Sequence, residues 1–253
     1  MSDIDLIYGL HSARAALAFD AGRVTEAWLD KRRRDARLQR MREKLRAADC
    51  AIHEVEVRDL RRLVGEVAHQ GIVLRYAGAA PQDASDLDDF LDRMVGPPVL
   101  LVLDQVQDPH NLGACLRAAD GGGVDAVIVP RDRAVGLTPV VRKVAAGAAE
   151  AIPFFQVTNL ARCLRELKDR GIWLIGAADE AGQSLYSADL TGPLALILGA
   201  EEKGLRRLTR EHCDVLVALP MAGSVESLNV SVATGVMVYE AWRQRHPLNP
   251  TAH

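Results

Sequence analysis

Five short apolar runs constrain this chain more than any other feature: PVLLVLD, DAVIVP, IWLIGA, LALILG and DVLVALP, all beyond Pro97. Each is nearly continuous rather than alternating, the pattern of a strand buried on both faces of a parallel sheet. Helix-like stretches separate them, at 112–120, 139–149, 160–170, 205–212 and a last one reaching about residue 245. Strand and helix in alternation define an α/β fold with a mostly parallel sheet.

Residues 1–77 have a different texture, that of a small α/β unit. Helix-like LHSARAALA precedes strand-like VTEAWLD, a basic helix from about 35 to 48, strand-like AIHEVEV, a short helix near Leu60 and strand-like GIVLRY. Residues 78–97, GAAPQDASDLDDFLDRMVGP, turn small and acidic around Pro81 and form the expected linker, with LDDFLDRM able to make a helical turn. Residues 98–253 hold the second domain.

A length of 253 residues accommodates one large domain or two modest ones. The net charge of −3 hides an asymmetry: from Lys31 to Arg46 nine bases face two acids, a local charge of +7, whereas Asp83 to Asp92 holds five acids and no base. The basic run reads either as a solvated helix face or as a phosphate-contacting patch. No apolar run approaches the roughly 20 residues that span a bilayer. The start, MSDIDLIYGLHSARAALAF, carries acids where a signal peptide carries bases, so no membrane partner and a cytoplasmic location are expected. Cys50, Cys115, Cys163 and Cys213 lie far apart without a CxxC pair, and the seven histidines show no ligand spacing, so no metal site is expected. His110 reads as a loop residue rather than a base.

In open α/β sheets ligands gather beyond the carboxyl ends of the strands. Three such ends carry unusual sequence: QVQDPHNLGACLRAAD after the first run, GAEEKGL after LALIL and PMAGSVESLN after DVLVAL. None contains GxGxxG, a P-loop, HExxH or GxSxG. Asn111 reads either as the cap of a helix beginning near Leu112 or as a site residue. Arg117, among alanines and leucine, reads either as a snorkelling side chain or as a fork for a phosphate. Gly199 permits close backbone approach, and Glu201 is the first charge after its strand. Ser224, Ser227 and Asn229 end a collar of small residues that leads into a long helix. VVRKVAAGAAE reads as a small-residue packing helix, with Arg142 and Lys143 as further candidates for RNA contact.

The segments DPHNLGACLRAADGGGVDAVIVP, KVAAGAAE, LILGAEEKGL and LPMAGSVESLNVSVATGVMVYEA resemble the signature motifs of the SpoU/TrmH branch of the SPOUT methyltransferases. The likeness runs from about Val99 to Arg245, and AHQGIV at Ala68–Val73 extends it into the first domain. It implies S-adenosylmethionine-dependent methylation of an RNA ribose 2′-hydroxyl, with a guanosine of 23S rRNA in the peptidyl-transferase region as the expected target. A tRNA ribose methyltransferase and a non-catalytic ribosome-assembly factor are the alternatives. The implied fold is a C-terminal parallel sheet flanked by helices with a deep trefoil knot, plus a small N-terminal α/β RNA-binding domain of a kind found in ribosomal proteins. The implied catalytic set is Arg117, Asn111, Glu201, Ser227 and Asn229. The implied cofactor contacts are Gly199, Ala200, Leu219, Met221 and Leu228. A homodimer that completes the site across its interface is implied as well. Glu202 stands where many relatives carry glycine, which adds charge at the pocket edge.

Overall fold

The computed structural model describes residues 4–77, 82–200 and 203–246. The chain divides into two units: residues 1–80 with 137–151, and residues 81–136 with 152–253.

The first unit contains β1 (Ile4–Tyr8), α1 (Leu10–Asp20), β2 (Val24–Asp30), α2 (Ala36–Ala47), β3 (Ala51–Val55), α3 (Val57–Val64) and β4 (Ile72–Ala77). Its sheet runs β1-β4-β2-β3, with β4 antiparallel to both neighbours and β2 parallel to β3. Alternation in β2 sends Ala27 and Leu29 into a core with Leu38, Met41 and Leu45 of α2 and Ala13 and Ala16 of α1. Asp35 starts α2 by accepting from the backbone N–H groups of Arg37 and Leu38. The AHQGIV stretch forms the turn before β4. There the Gly71 N–H donates to His69 Nδ1 at 3.1 Å, and Gln70, at a left-handed φ of 51°, accepts from the Leu10 N–H at 3.0 Å. Burial holds the His69 imidazole below its ordinary pKa, as an acceptor nitrogen requires.

In the second unit α4 (Ala84–Arg93), β5 (Val99–Asp104), α5 (Pro109–Gly121) and β6 (Ala126–Pro130) come first. Next are α6 (Pro139–Ala145) and α7 (Ala148–Ala151), which belong to the first unit. The second unit resumes with β7 (Phe154–Val157), α8 (Leu160–Asp169), β8 (Trp173–Ala177), β9 (Gln183–Ser184) and β10 (Leu194–Gly199), then α9 (Arg207–His212), β11 (Val215–Ala218) and α10 (Val230–Arg245). The sheet order is β7-β6-β5-β10-β8-β11-β9, and every pairing is parallel. The apolar runs of β5 and β6 are buried throughout, as expected, whereas β8 opens on an exposed Trp173 and β11, near the sheet edge, is mostly half-buried.

Three elements differ from the sequence expectation. Helix α4 occupies half of the stretch read as linker, because Leu87, Phe90 and Leu91 pack against Phe155 and the α8 core. The segment read as one helix over 139–149 breaks at Ala146, which adopts a left-handed φ of 55°. Arg142 is a buried ion-pair partner of Glu150 at 2.8 Å, and Lys143 sits over the Tyr8 ring, so both bases offered for RNA contact are engaged inside the first unit.

Candidate active site

The candidate loops leave the carboxyl ends of β5, β10 and β11. Asp104 ends β5 directly opposite Gly199, the last residue of β10. Its carboxylate is completely buried and receives the Arg206 guanidinium at 2.6 Å and the Arg206 backbone N–H at 3.1 Å. A buried carboxylate needs such a partner, and here the pair clamps the loop after β10. The loop itself turns tightly: the Gly204 N–H donates to the Ala200 carbonyl at 2.8 Å. A Cβ at position 199 would lie 2.1 Å from the Gly204 carbonyl, so only glycine fits.

Between this loop, β8, β11 and the segment before α10 lies a cavity of about 290 Å³. Gly199, Ala200, Leu219, Met221 and Leu228, the five expected cofactor contacts, all line it, as does Ser227. Its wall combines apolar side chains with exposed main chain, which suits a ligand that has an apolar body and hydrogen-bonding edges. Asp179, Glu180, Lys203 and Arg210 supply its charge. Glu180 contacts Arg210, and its carboxyl is held below the usual range by its own backbone N–H and by that guanidinium. Nearby Cys213 is raised to about 12, chiefly by burial, and so remains a neutral thiol.

A second cavity of about 510 Å³ adjoins the first and shares Ala200, Lys203 and Val230 with it. Asn111 lines it with Gln105, Gln107 and Arg133. Helix α5 begins at Pro109 under an Asp108 cap, so Asn111 is not the cap and its side chain is released to the site. It accepts from Asn229 Nδ2 at 3.0 Å, while Asn229 Oδ1 caps α10 by accepting from the Ser231 N–H at 2.9 Å. Helices α5 and α10 lie parallel: Asn111 meets Asn229, Cys115 meets Thr234, and Gly122 is pressed by Val238. Both positive helix ends therefore open toward the same mouth.

Arg117 stands apart. It is exposed on α5 and lines neither cavity. Gly121, one turn further on the same face, lies under the Tyr239 hydroxyl of α10. Glu201 and Glu202 lie outside the described residues. Sequence reasoning missed Asp104, Lys203, Arg133 and Arg206. Asp104 reads there as the end of an apolar run, although a lone acid closing a doubly buried strand is itself a signal.

Residues 98–239 match the SpoU rRNA Methylase family, and residues 6–82 match a family described as RNA 2′-O ribose methyltransferase substrate binding. The chain is 54% identical to the 23S rRNA (guanosine-2′-O-)-methyltransferase RlmB of Ralstonia nicotianae, over 97% of this chain and 98% of that protein. It is 50% identical to the protein of the same name from Pseudomonas aeruginosa, over 98% of this chain and 100% of that one. Among solved structures, the SpoU methyltransferase AviRb from Streptomyces viridochromogenes in complex with AdoMet superposes with a TM-score of 0.82. It shares 26% identity and covers 96% of this chain and 90% of its own. With matches that span both units, the chain belongs to the SpoU rRNA methylase family.

Proposed function

We propose that this chain transfers a methyl group from S-adenosylmethionine to the ribose 2′-hydroxyl of a guanosine in 23S rRNA, in the peptidyl-transferase region. The observation that carries the reading is the convergence of Gly199, Ala200, Leu219, Met221, Leu228 and Ser227 on one cavity at the strand ends. Near-full-length identity to rRNA guanosine methyltransferases supports the substrate, and a target in rRNA implies a cytoplasmic location. Among the described residues no helix is long and apolar enough to cross a membrane.

The donor, when bound, supplies a methyl group already activated on a sulfonium. The protein's work is then positioning and charge stabilisation. The backbone around Gly199, with Leu219, Met221 and Leu228, holds the donor. Asn111 and Asn229, bonded to each other, orient the target nucleotide in the adjoining cavity, where Lys203 and Arg133 face its phosphates. A ribose hydroxyl is a weak nucleophile. Arg117 grips the neighbouring phosphate with its guanidinium fork and stabilises the developing alkoxide rather than acting as the base. Ser227 adds a hydroxyl to the donor cavity, and the family resemblance assigns Glu201 to the same catalytic set.

Arg117 reaches a donor cavity in this reading because the enzyme is a homodimer. Val232 and Tyr239 on α10 are 51% and 52% exposed, and Gly121, one turn along α5 from Arg117, lies under the Tyr239 hydroxyl. Covering this face with a second copy brings Arg117 to the partner's site. A deep trefoil knot belongs to the same proposal: β10 inserts between the earlier strands β5 and β8, and the 219–229 segment returns α10 against α5.

The test is transfer of tritiated methyl from S-adenosylmethionine to 23S rRNA and, separately, to tRNA, with the product mapped by its resistance to alkaline cleavage. Labelling of one rRNA guanosine is expected. Labelling of tRNA alone, or of neither, sinks the proposal.

A further inference from the structure

The basic run from Lys31 to Arg46 separates into two populations in the fold. Lys31 and Arg32 both bind Glu56, Arg33 binds Asp35, and Arg42 binds Glu54. These cations are spent on local acids, and the carboxyls of Glu56 and Asp35 are correspondingly held below the usual range, first by Lys31 and by Arg33 respectively. Arg37, Arg40 and Lys44 make no ion pair among the described residues. They recur every three or four positions on one exposed face of α2. Across from them, α1 presents His11 and Arg14, both exposed, and the five side chains flank a groove of about 580 Å³. Leu10, Arg33, Met41 and Gln70 also line it, and no acidic side chain and no Phe, Tyr or Trp does.

We infer that this α1–α2 groove is a second RNA site, separate from the methyl-transfer cavities, which holds the sugar–phosphate backbone of the substrate. The inference rests on the RNA-methyltransferase reading of the chain and adds where, and by what chemistry, the first unit engages its RNA. Charge selects a polyanion, since six basic or ionisable groups line the groove and, among the described residues, Arg33 alone of them is matched by an acid, Asp35. Shape selects a strand rather than a lone ion: Arg37 to Lys44 spans about 10 Å of helix, long enough to face more than one phosphate of a strand. The absence of Phe, Tyr and Trp selects backbone over bases, because stacking platforms need broad π-faces. Contacts of this kind position RNA without reading its sequence. The AHQGIV turn fixes the groove's end, where the Gln70 carbonyl accepts from Arg33 at 2.6 Å and Gln70 Oε1 anchors the start of α1.

The test compares two charge-matched variants of the full chain, Arg40→Gln/Lys44→Gln in the groove and Lys31→Gln/Arg32→Gln among the paired cations. Filter retention of a labelled 23S rRNA fragment and methyl transfer to it are measured side by side across a salt series, with melting curves to confirm folding. The groove pair is expected to weaken RNA retention and raise KM roughly tenfold, to leave kcat nearly unchanged, and to flatten the log–log salt slope by about 0.7–0.9 per lost cation. The paired-cation variant is expected to stay within about twofold of wild type, as surface ion pairs contribute little. Equal losses in both variants, or unchanged retention in the groove pair, would overturn the inference. So would a groove defect seen only on protein-bearing ribosomal particles and not on naked RNA, which would assign the groove to an acidic protein. Groove-dependent retention without any methyl transfer by wild type would instead remove the enzymatic reading and leave the groove standing.

Discussion

Asn229 Oδ1 accepts from the Ser231 N–H while Asn229 Nδ2 donates to Asn111, so the two ends of one amide serve different purposes. Aspartate at this position keeps the cap and loses the donor. Asn229→Asp is therefore expected to melt close to wild type and to lose most methyl transfer. Asn229→Ala is expected to lose transfer and about 1 kcal/mol of stability through the missing cap. Thermal melts and initial rates on both variants separate the roles, and wild-type transfer in Asn229→Asp would show the Asn111 contact to be idle. How far such a site is legible beforehand depends on what each residue uses. Gly199, Leu219, Met221 and Leu228 contribute backbone and bulk from loops that must leave strand ends, so their convergence follows from topology. The Asn111–Asn229 pair spans 118 positions and depends on which residue caps α5, a competition that Asp108 wins. The spacing of Arg117 from Asn111 could not reveal its distance from both cavities, because that follows from how α5 turns against α10.

Among the elements, β10 and the turn that follows it bear the site's geometry. Asp104 holds Arg206 by both its guanidinium and its backbone N–H, and so fixes the chain on the far side of that turn. Asp104→Asn is expected to cost about 2 kcal/mol, since a hydrogen bond to a buried charge is lost. It is also expected to weaken S-adenosylmethionine binding more than RNA binding. Calorimetric titration of each ligand checks this, and equal weakening would mean that the clamp is not specific to the donor loop. Apolar continuity announced β5, β6, β8, β10 and β11, because strands buried on both faces have no polar alternation to blur them. The two-residue β9 escaped notice because it is too short to carry a pattern, and β7 because Pro153 before it and Gln156 within it interrupt the apolar run. The break between α6 and α7 escaped as well. VAAGAAE is good helix sequence, and only the approach of Gly147 to Ala15, where a Cβ would lie 2.4 Å away, rewards the left-handed turn at Ala146.

For the whole molecule, the proposal that Arg117 works in the partner's cavity makes a test by mixing decisive. Arg117→Ala alone is expected to lower transfer on the order of a hundredfold, with donor binding intact. A subunit with Leu228→Glu alone is expected to fail at donor binding. Unfolded together and refolded as mixed dimers, the two are expected to regain transfer, because one of the two composite sites is then wild type on both sides. Failure to complement, with dimers verified by sedimentation, would return Arg117 to its own subunit's site.

The position of β10 has a further consequence, one for synthesis. It is the sixth strand of its sheet to leave the ribosome, yet it lies at the centre, and β5 and β8 touch it rather than each other. Until Leu194–Gly199 emerges, the nascent chain carries β7-β6-β5 as one open fragment and β8 as an unpaired strand, each with a bare hydrogen-bonding edge facing the other. Non-local pairing of this kind is slow, and exposed edges invite wrong partners. A pause in translation just before residue 194 would thus prolong the most aggregation-prone stage in the life of this protein, and the arrival of six apolar residues would end it.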